Sequence, residues 1–256
     1  MHLSLGRRFG SSCHCRVRSY AGIHDPGKYR TTSFGYMSSR LVSLTFDNGP
    51  VVGVTDRVLD ELGRRNVPAS FFVVGRALAR PGARALCERA IAEGHLIGNH
   101  SATHRIALGE LDNPASVDAE IDDCERLLDG LRSTPPRFRP FGNGGALDRR
   151  LLSRYAVKRL CAGGYTTVLW NSVPHDWDDP TGWVDTALAH VRSMPHTVMV
   201  LHDTPGAAID RLPEFLDRLE ALDVRFTQDA PDECIATRCG VPTPVLHGLG
   251  IDAPPT

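Results

Sequence analysis

The chain has 256 residues, 41% of them hydrophobic, which is enough for one large domain with a sizeable core or for two small domains. Its formal net charge of -1 excludes a chain that is basic throughout, as a general nucleic-acid binder would be. No apolar run reaches the length of about 18 residues that a membrane span requires, so we expect no transmembrane segment.

The first 37 residues differ in composition from the rest of the chain. Residues 1–40 contain seven Lys and Arg residues and one acidic residue, Asp25, whereas acidic residues exceed basic ones in residues 41–256. We therefore predict a basic, disordered extension over residues 1–37, although an acid-poor segment with Arg and Ser is also typical of an organelle transit peptide. The extension is short and poor in aromatic residues, which argues against a nucleic-acid partner.

The N-terminus and the cysteines indicate the compartment. The N-terminal segment lacks an apolar run of signal-peptide length, and the seven cysteines are scattered without a Cys-x-x-Cys pair. Both features favour a reducing compartment, and we expect a cytoplasmic protein. Cys13, His14 and Cys15 could bind a metal, but no second ligand pair follows them, so we expect these residues to be free.

Short apolar runs alternate with longer amphipathic stretches from residue 41 onward. The predicted elements, in chain order, are strand 41–46, helix 55–65, strand 69–74, helix 83–93, strand 95–98, helix 113 to about 131, strand 137–141, helix 148–162, strand 166–170, helix 181–192, strand 197–201, helix 209–222 and strand 224–227. This alternation predicts an α/β fold with a parallel sheet, either a barrel or a doubly wound sheet. Residues 231–256 contain several prolines and no periodicity, so we expect an irregular tail after a single folded domain over residues 38–230.

Polar side chains follow nearly every predicted strand. In parallel α/β folds the working residues lie just past the carboxyl ends of the strands, and a purely structural protein has no reason to place such groups there. The groups concerned are Asp47 and Asn48 after strand one, His100 and His104 after strand three, Arg139 within strand four, Asp176 and Trp177 after strand five, and His202 after strand six. We therefore predict that these residues form one site able to bind a metal or to move protons.

The order of these segments resembles a known family. Residues 45–50 (TFDNGP), 100–104 (HSATH), 138–142 (FRPFG), 176–177 (DW) and 200–203 (VLHD) are similar to the five motifs of the polysaccharide deacetylases, which are carbohydrate esterase family 4 or nodulation-protein-B-like enzymes. The resemblance spans about residues 40–228. It implies a distorted, partly open (β/α) barrel with seven strands, of the glycoside hydrolase/deacetylase type. It also implies metal-assisted hydrolysis of an N-acetyl amide on an amino sugar of a chitooligosaccharide or peptidoglycan-type substrate, with release of acetate.

The resemblance also implies a catalytic role for four residues. Asp47 would be the general base that takes a proton from the attacking water, and His202 would be the general acid that protonates the departing amine. Arg139 would pair with Asp47 and hold it ionised, and Asp176 would hydrogen-bond His202 and favour its protonated form.

Metal and substrate ligands follow from the same resemblance. His100, His104 and Asn48 would bind a divalent cation, most often zinc in this family. Because an amide oxygen is a poorer ligand than the carboxylate that the family usually has there, we expect the metal to be held weakly. For the substrate, a backbone N–H near Phe141 or Gly142 would stabilise the oxyanion, and Trp177 and Leu201 would line an apolar groove floor.

Three departures from the family motifs keep other functions open. Asn48 replaces the usual Asp, Phe141 stands where a second Pro is usual, and Pro174 occupies a position that is often Asp. These changes leave two alternatives, a non-catalytic carbohydrate-binding relative with a degraded metal site and a hydrolase of a small non-sugar amide. A binding protein would not need both Asp47 and His202 with their partners, so we favour the sugar deacetylase.

Overall fold

The computed structural model describes residues 39–206 and 209–251, so the basic segment 1–37, with Cys13, His14 and Cys15, lies outside the described residues. The described chain contains nine strands and eight helices. The strands are β1 (Leu41–Asp47), β2 (Ala69–Val73), β3 (Leu96–Asn99), β4 (Arg137–Phe138), β5 (Thr166–Val168), β6 (His196–His202), β7 (Arg225–Phe226), β8 (Ile235–Arg238) and β9 (Val241–Pro242). The helices are α1 (Thr55–Arg65), α2 (Gly75–Leu78), α3 (Ala83–Ala92), α4 (Pro114–Leu127), α5 (Arg154–Ala162), α6 (Trp183–Ser193), α7 (Leu212–Glu220) and α8 (Val245–Gly248).

The strands form one curled sheet in the order β6-β1-β2-β3-β4-β5-β8-β9, and β7 pairs with the first residues of β1. β1 to β7 pair in parallel, whereas β8 and β9 are antiparallel to their neighbours. After β5, Ser172 forms an isolated parallel bridge with Met199 of β6. This bridge connects the two sides of the curled sheet. The expected distorted, partly open barrel with seven parallel strands is therefore confirmed.

Helices cover the outside of the barrel, and this explains why its strands are apolar along their length. One core cluster lies under α1, α3, α6 and α7 and includes Leu59, Trp183 and Phe215. A second cluster lies under α4 and α5 and includes Ile121 and Val157. The packing leaves the carboxyl ends of the strands uncovered by these helices, and the polar residues of the predicted site lie there.

The prediction of an irregular tail is wrong for residues 231–251. β8 pairs with β5 and β9 pairs with β8, and Ala236, Leu246 and Ile251 join the second core cluster. The two strands have four and two residues, too few for an alternating pattern to stand out in the sequence. The proline of β9, Pro242, is compatible with an edge strand because no further strand needs its missing N–H.

Several predicted boundaries differ from the observed ones. β4 ends at Phe138 rather than Phe141, since Pro140 cannot donate to a ladder and the chain turns into the site. α5 begins at Arg154 because the Ser153 side chain accepts a hydrogen bond from the Ala156 N–H and caps the helix. The longest helix in the described chain, α4, has 14 residues, and no described helix is long and apolar enough to span a bilayer.

Candidate active site

The predicted site residues converge on a cleft of about 400 Å³ at the carboxyl ends of the strands. β1 and β6 are adjacent and in register, so that Asp47 lies opposite His202. Eight of the predicted residues line the cleft, namely Asp47, Asn48, His100, His104, Phe141, Gly142, Trp177 and His202. Arg139 and Asp176 do not line it but contact residues that do.

Arg139 is fully buried and crosses the barrel interior to reach Asp47. Its Nη1 atom donates to the Asp47 carboxylate at 3.1 Å and to the Thr45 hydroxyl, and its other N–H groups donate to the carbonyls of Val168 and Leu169. The guanidinium carbon lies 4.2 Å from the ring centre of Phe72. Burial lowers the pKa of Arg139 and the Asp47 charge partly opposes this, but a guanidinium keeps its charge inside proteins. Arg139 therefore fixes one oxygen of Asp47.

His100 presents a free nitrogen to the cleft. Its Nδ1 atom lies 2.8 Å from the backbone oxygen of Arg139, and because a carbonyl can only accept, Nδ1 carries the proton. This leaves the Nε2 lone pair 3.6 Å from an oxygen of Asp47. Burial, with a smaller contribution from the charge of Arg139, lowers the pKa of His100 to about 3. The imidazole is therefore neutral near pH 7 and able to bind a metal.

His104 stands beside His100 on a loop that α4 holds. The two imidazole centres are 4.6 Å apart, and the His104 ring packs on Phe141 with centres 4.1 Å apart. Burial is the largest cause that lowers the pKa of His104 to about 3. The Glu120 carboxylate accepts hydrogen bonds from the N–H and hydroxyl of Thr103, which ties the loop to α4.

His202 and Asp176 form the second polar pair. The Asp176 carboxylate accepts hydrogen bonds from Nδ1 of His202 at 2.8 Å and from its backbone N–H at 2.9 Å. Burial alone would lower the pKa of His202, but the bond and charge of Asp176, with the charges of Asp47 and Asp203, outweigh it and the pKa is raised. Trp177 packs edge-on against the His202 ring with centres 4.8 Å apart and is 40% exposed. The other ring nitrogen of His202 is thus left for a ligand in the cleft.

Asn48 directly follows β1 and has left-handed backbone geometry, with φ of 79°. Its Oδ1 atom is buried and has no hydrogen-bond partner in residues 39–206 and 209–251. A buried amide oxygen without a partner is rare, because such a group loses its contact with water and gains nothing. Two neutral imidazoles and this oxygen therefore provide donors that fit a divalent cation. No cluster of three His, Cys, Asp or Glu residues suited to a metal occurs in the described chain, as expected where the third donor is Asn.

Comparison with known proteins identifies the family. The family model described as polysaccharide deacetylase matches residues 35–160. The peptidoglycan-N-acetylmuramic acid deacetylase of Bacillus subtilis is 30% identical over 205 residues, which are 78% of this chain and 70% of that protein. The chain belongs to the polysaccharide deacetylase family. This family member is a hydrolase that acts on carbon–nitrogen bonds.

Two further similarities bear on the site. A chitooligosaccharide deacetylase of a Bradyrhizobium strain is 34% identical to this deacetylase-family chain over 173 residues, which are 64% of this chain and 71% of that protein. A family 4 acetyl xylan esterase from Clostridium thermocellum, solved with a cobalt ion, superimposes with a TM-score of 0.59 at 28% identity. The match covers 73% of this chain and 87% of the esterase.

Leu201 was predicted to line the groove floor, but the structure does not place it in the cleft. It is 2% exposed and packs in the core cluster with Phe215 and Trp183. Successive side chains of a strand point to opposite faces, so the residue that shares the cleft face with His202 is Val200. Val200 does line the cleft, with Trp170 and Val173. The alternation of β6 could have identified Val200 from the sequence.

The loop after β4 is fixed by Trp170, a second residue that the sequence analysis did not assign. The Trp170 indole N–H donates to the Gly145 carbonyl at 2.9 Å. A Cβ atom at Gly142 would lie 2.5 Å from the same indole ring, so only glycine allows this approach. The backbone N–H groups of Phe141 and Gly142 donate to no other group in the described chain, which leaves both for a ligand.

Proposed function

We propose that this hydrolase removes the acetyl group from an N-acetylated amino sugar of a chitooligosaccharide or peptidoglycan-type chain and releases acetate. The observation that carries the proposal is that a carboxylate and an imidazole face one cleft from adjacent strands, each with its own buried partner. Asp47 has Arg139, and His202 has Asp176. Amide hydrolysis needs a base and an acid at one site, and this arrangement supplies both.

Asp47 acts as the general base. One of its oxygens is engaged by Arg139, and the other lies toward the cleft beside His100. Because the guanidinium of Arg139 fixes one oxygen, the other oxygen is oriented toward a water molecule in the cleft. The free oxygen takes a proton from this water as the water attacks the acetyl carbonyl.

His202 acts as the general acid. Its raised pKa favours the protonated imidazolium, and Asp176 holds Nδ1 so that the second nitrogen, Nε2, faces the cleft. From Nε2 the proton passes to the amine nitrogen as the carbon–nitrogen bond breaks. The charge of Asp176 stabilises the imidazolium until that transfer.

His100, His104 and Asn48 would hold a divalent cation, and we propose zinc, held weakly because Asn48 is neutral. The family resemblance, the two neutral imidazoles and the unpartnered Asn48 oxygen support this donor set. When bound, the cation supplies Lewis-acid polarisation of the amide carbonyl.

The cleft walls bind the acetyl group and the sugar. The free N–H groups of Phe141 and Gly142 donate to the oxygen that becomes negative as the carbonyl is attacked. Val200 and Trp177 offer apolar surface to the acetyl methyl and the sugar ring. Val200 takes here the place that Leu201 had in the sequence prediction.

The proposal is tested by measuring acetate. The wild-type protein and Asp47→Asn are incubated with N-acetylated chitooligosaccharides and with peptidoglycan fragments, with and without added zinc. We expect acetate from at least one of these substrates with wild type only, increased by zinc. Binding of the sugars without acetate would instead support the non-catalytic relative. Acetate from a small non-sugar amide alone would support the third candidate.

A further inference from the structure

Asp203 is a buried carboxylate next to His202 that the proposed reaction does not use. It is 1% exposed and does not line the cleft. One of its oxygens accepts a hydrogen bond from the Gly49 N–H at 2.9 Å, and the other accepts from the Thr55 hydroxyl at 2.7 Å. Burial raises the pKa of Asp203 to about 6, and these two hydrogen bonds oppose the rise. Burying a carboxylate costs free energy, so we expect Asp203 to have a structural role for the two groups that it binds.

The groups that Asp203 binds belong to the turn between β1 and α1. Gly49 is the second residue of this turn, and Thr55 is the first residue of α1. The Thr55 hydroxyl also accepts a hydrogen bond from the Val51 N–H at 2.8 Å. A single carboxylate directly after β6 thus fixes both ends of the turn. A Cβ atom at Gly49 would lie 2.1 Å from a carboxylate oxygen of Asp203, so the approach depends on glycine.

The residue that this turn presents to the cleft is Asn48. Its Oδ1 atom has no partner in the described chain, so no hydrogen bond to that oxygen sets the direction of the amide. The backbone on either side sets it instead. The Asn48 N–H donates to the Phe72 carbonyl at 3.3 Å, and the next N–H, that of Gly49, donates to Asp203. Hydrogen bonds to a charged acceptor are stronger than those between neutral groups, so the bond to Asp203 is the firmer of the two.

We propose that Asp203 is a positioning residue that aims the Asn48 amide oxygen into the cleft, where it serves as a metal ligand. The inference rests on the proposed function only in taking Asn48 as a ligand. Asp203 does not touch substrate or metal, and its effect on the metal site passes through the Gly49 N–H. Its removal is therefore expected to weaken metal binding without changing any ligand.

The test is a zinc titration of the folded protein, with a chelator as competitor and without substrate. Wild type is compared with Asp203→Ala, Asp203→Asn and Thr237→Val. The last is the control, since Thr237 is a buried hydroxyl that bonds the backbone of Tyr165, just before β5, and of Thr167 in β5, outside the turn that carries Asn48. We expect Asp203→Ala to weaken zinc binding about tenfold or more, and Asp203→Asn to weaken it less, because its oxygen can still accept from Gly49. Thr237→Val is expected to lower the unfolding temperature and to keep the zinc affinity of wild type.

A double-mutant cycle shows whether Asp203 acts through Asn48, and it serves even if Asp203→Ala does not fold. Zinc affinity is measured for Asn48→Ala, Asp203→Asn and the double variant. We expect Asp203→Asn to lose its effect in the Asn48→Ala background. An effect of equal size in both backgrounds, or wild-type affinity in Asp203→Asn, would overturn the inference.

The same titrations separate this inference from the proposed function. If zinc binding follows the cycle as expected but wild type releases no acetate, the proposed function is overturned and the positioning role is supported. Absence of zinc binding in wild type would overturn the positioning role, whatever the acetate measurement gives.

Discussion

Arg139 and Asp47 are joined by a hydrogen bond of 3.1 Å between Nη1 and a carboxylate oxygen, and both residues are buried. Arg139 directly follows β4 and Asp47 ends β1, and these strands are not neighbours in the sheet, so the bond crosses the barrel interior. An arginine buried in this way needs its counter-charge, because removing one partner of a buried pair leaves an uncompensated charge. The pair therefore links the stability of the barrel to the geometry of the proposed base.

This link predicts two effects of Asp47→Asn. Loss of the general base should lower acetate release by roughly 10²–10⁴-fold. The amide keeps an acceptor for Arg139 but not the charge, so the free energy of unfolding should fall by up to about 3 kcal/mol, less than for a full loss of the partner. Denaturant unfolding beside an acetate assay measures both, and near-wild-type activity would exclude Asp47 as the base.

The pair of His202 and Asp176 predicts a shift in pH dependence. Asp176 is a cause of the raised pKa of His202, so Asp176→Asn should let that pKa fall. The His202 imidazolium then loses its proton at a lower pH. The alkaline limb of the kcat/KM profile should therefore move to lower pH, while the acidic limb stays in place. His202→Ala is the control, since it should lose most activity at every pH. An unmoved alkaline limb in Asp176→Asn would mean that another group sets it.

Val200 and Leu201 are neighbours on β6 with opposite surroundings, so their variants should differ. Leu201→Ala opens a cavity in the core and should cost about 2–5 kcal/mol of unfolding free energy while leaving KM close to wild type. Val200→Ala alters the cleft wall and should raise KM. Thermal unfolding and steady-state kinetics on both variants check this assignment. A raised KM for Leu201→Ala with wild-type kinetics for Val200→Ala would return Leu201 to the site.

Because the amide of Asn48 is neutral, we predict that a carboxylate at this position binds the metal more tightly. Asn48→Asp adds the attraction between a carboxylate and a divalent cation and should tighten zinc binding at least tenfold, or by about 1.4 kcal/mol. Zinc titrations of wild type and the variant, side by side, measure the change, and Asn48→Ser provides a neutral comparison. Equal affinities for wild type and Asn48→Asp would show that residue 48 is not a ligand.

The sequence predicted the parts of the site that depend on where strands end. Asp47, His100 and His202 follow apolar runs, and parallel strands bring such residues to one edge of the sheet. The prediction for β6 was wrong by one residue and assigned Leu201 to the cleft where the structure has Val200. A shift of one position along a strand moves the side chain to the opposite face of the sheet. The family motif led to Leu201, whereas the alternation itself pointed to Val200.

Contacts between distant parts of the chain could not be predicted in this way. The bond between Gly49 and Asp203 spans 154 positions and depends on a glycine that resembles any turn glycine in the sequence. β8 and β9 are too short for a periodic signal, and they form because β5 offers an edge and the second core cluster takes up Ala236. Strand pairing and core packing, rather than a local sequence pattern, thus determine these features.

The central claim is that Asp47 and His202 together cleave the N-acetyl amide of an amino sugar. The most direct measurement quantifies acetate and newly freed amine in the same reaction, with an N-acetylated chitooligosaccharide, zinc, and wild type, Asp47→Asn or His202→Ala. We predict equal molar amounts of acetate and amine from wild type and strong loss of both in each variant. Acetate without amine, or equal yields from wild type and the two variants, would contradict the claim.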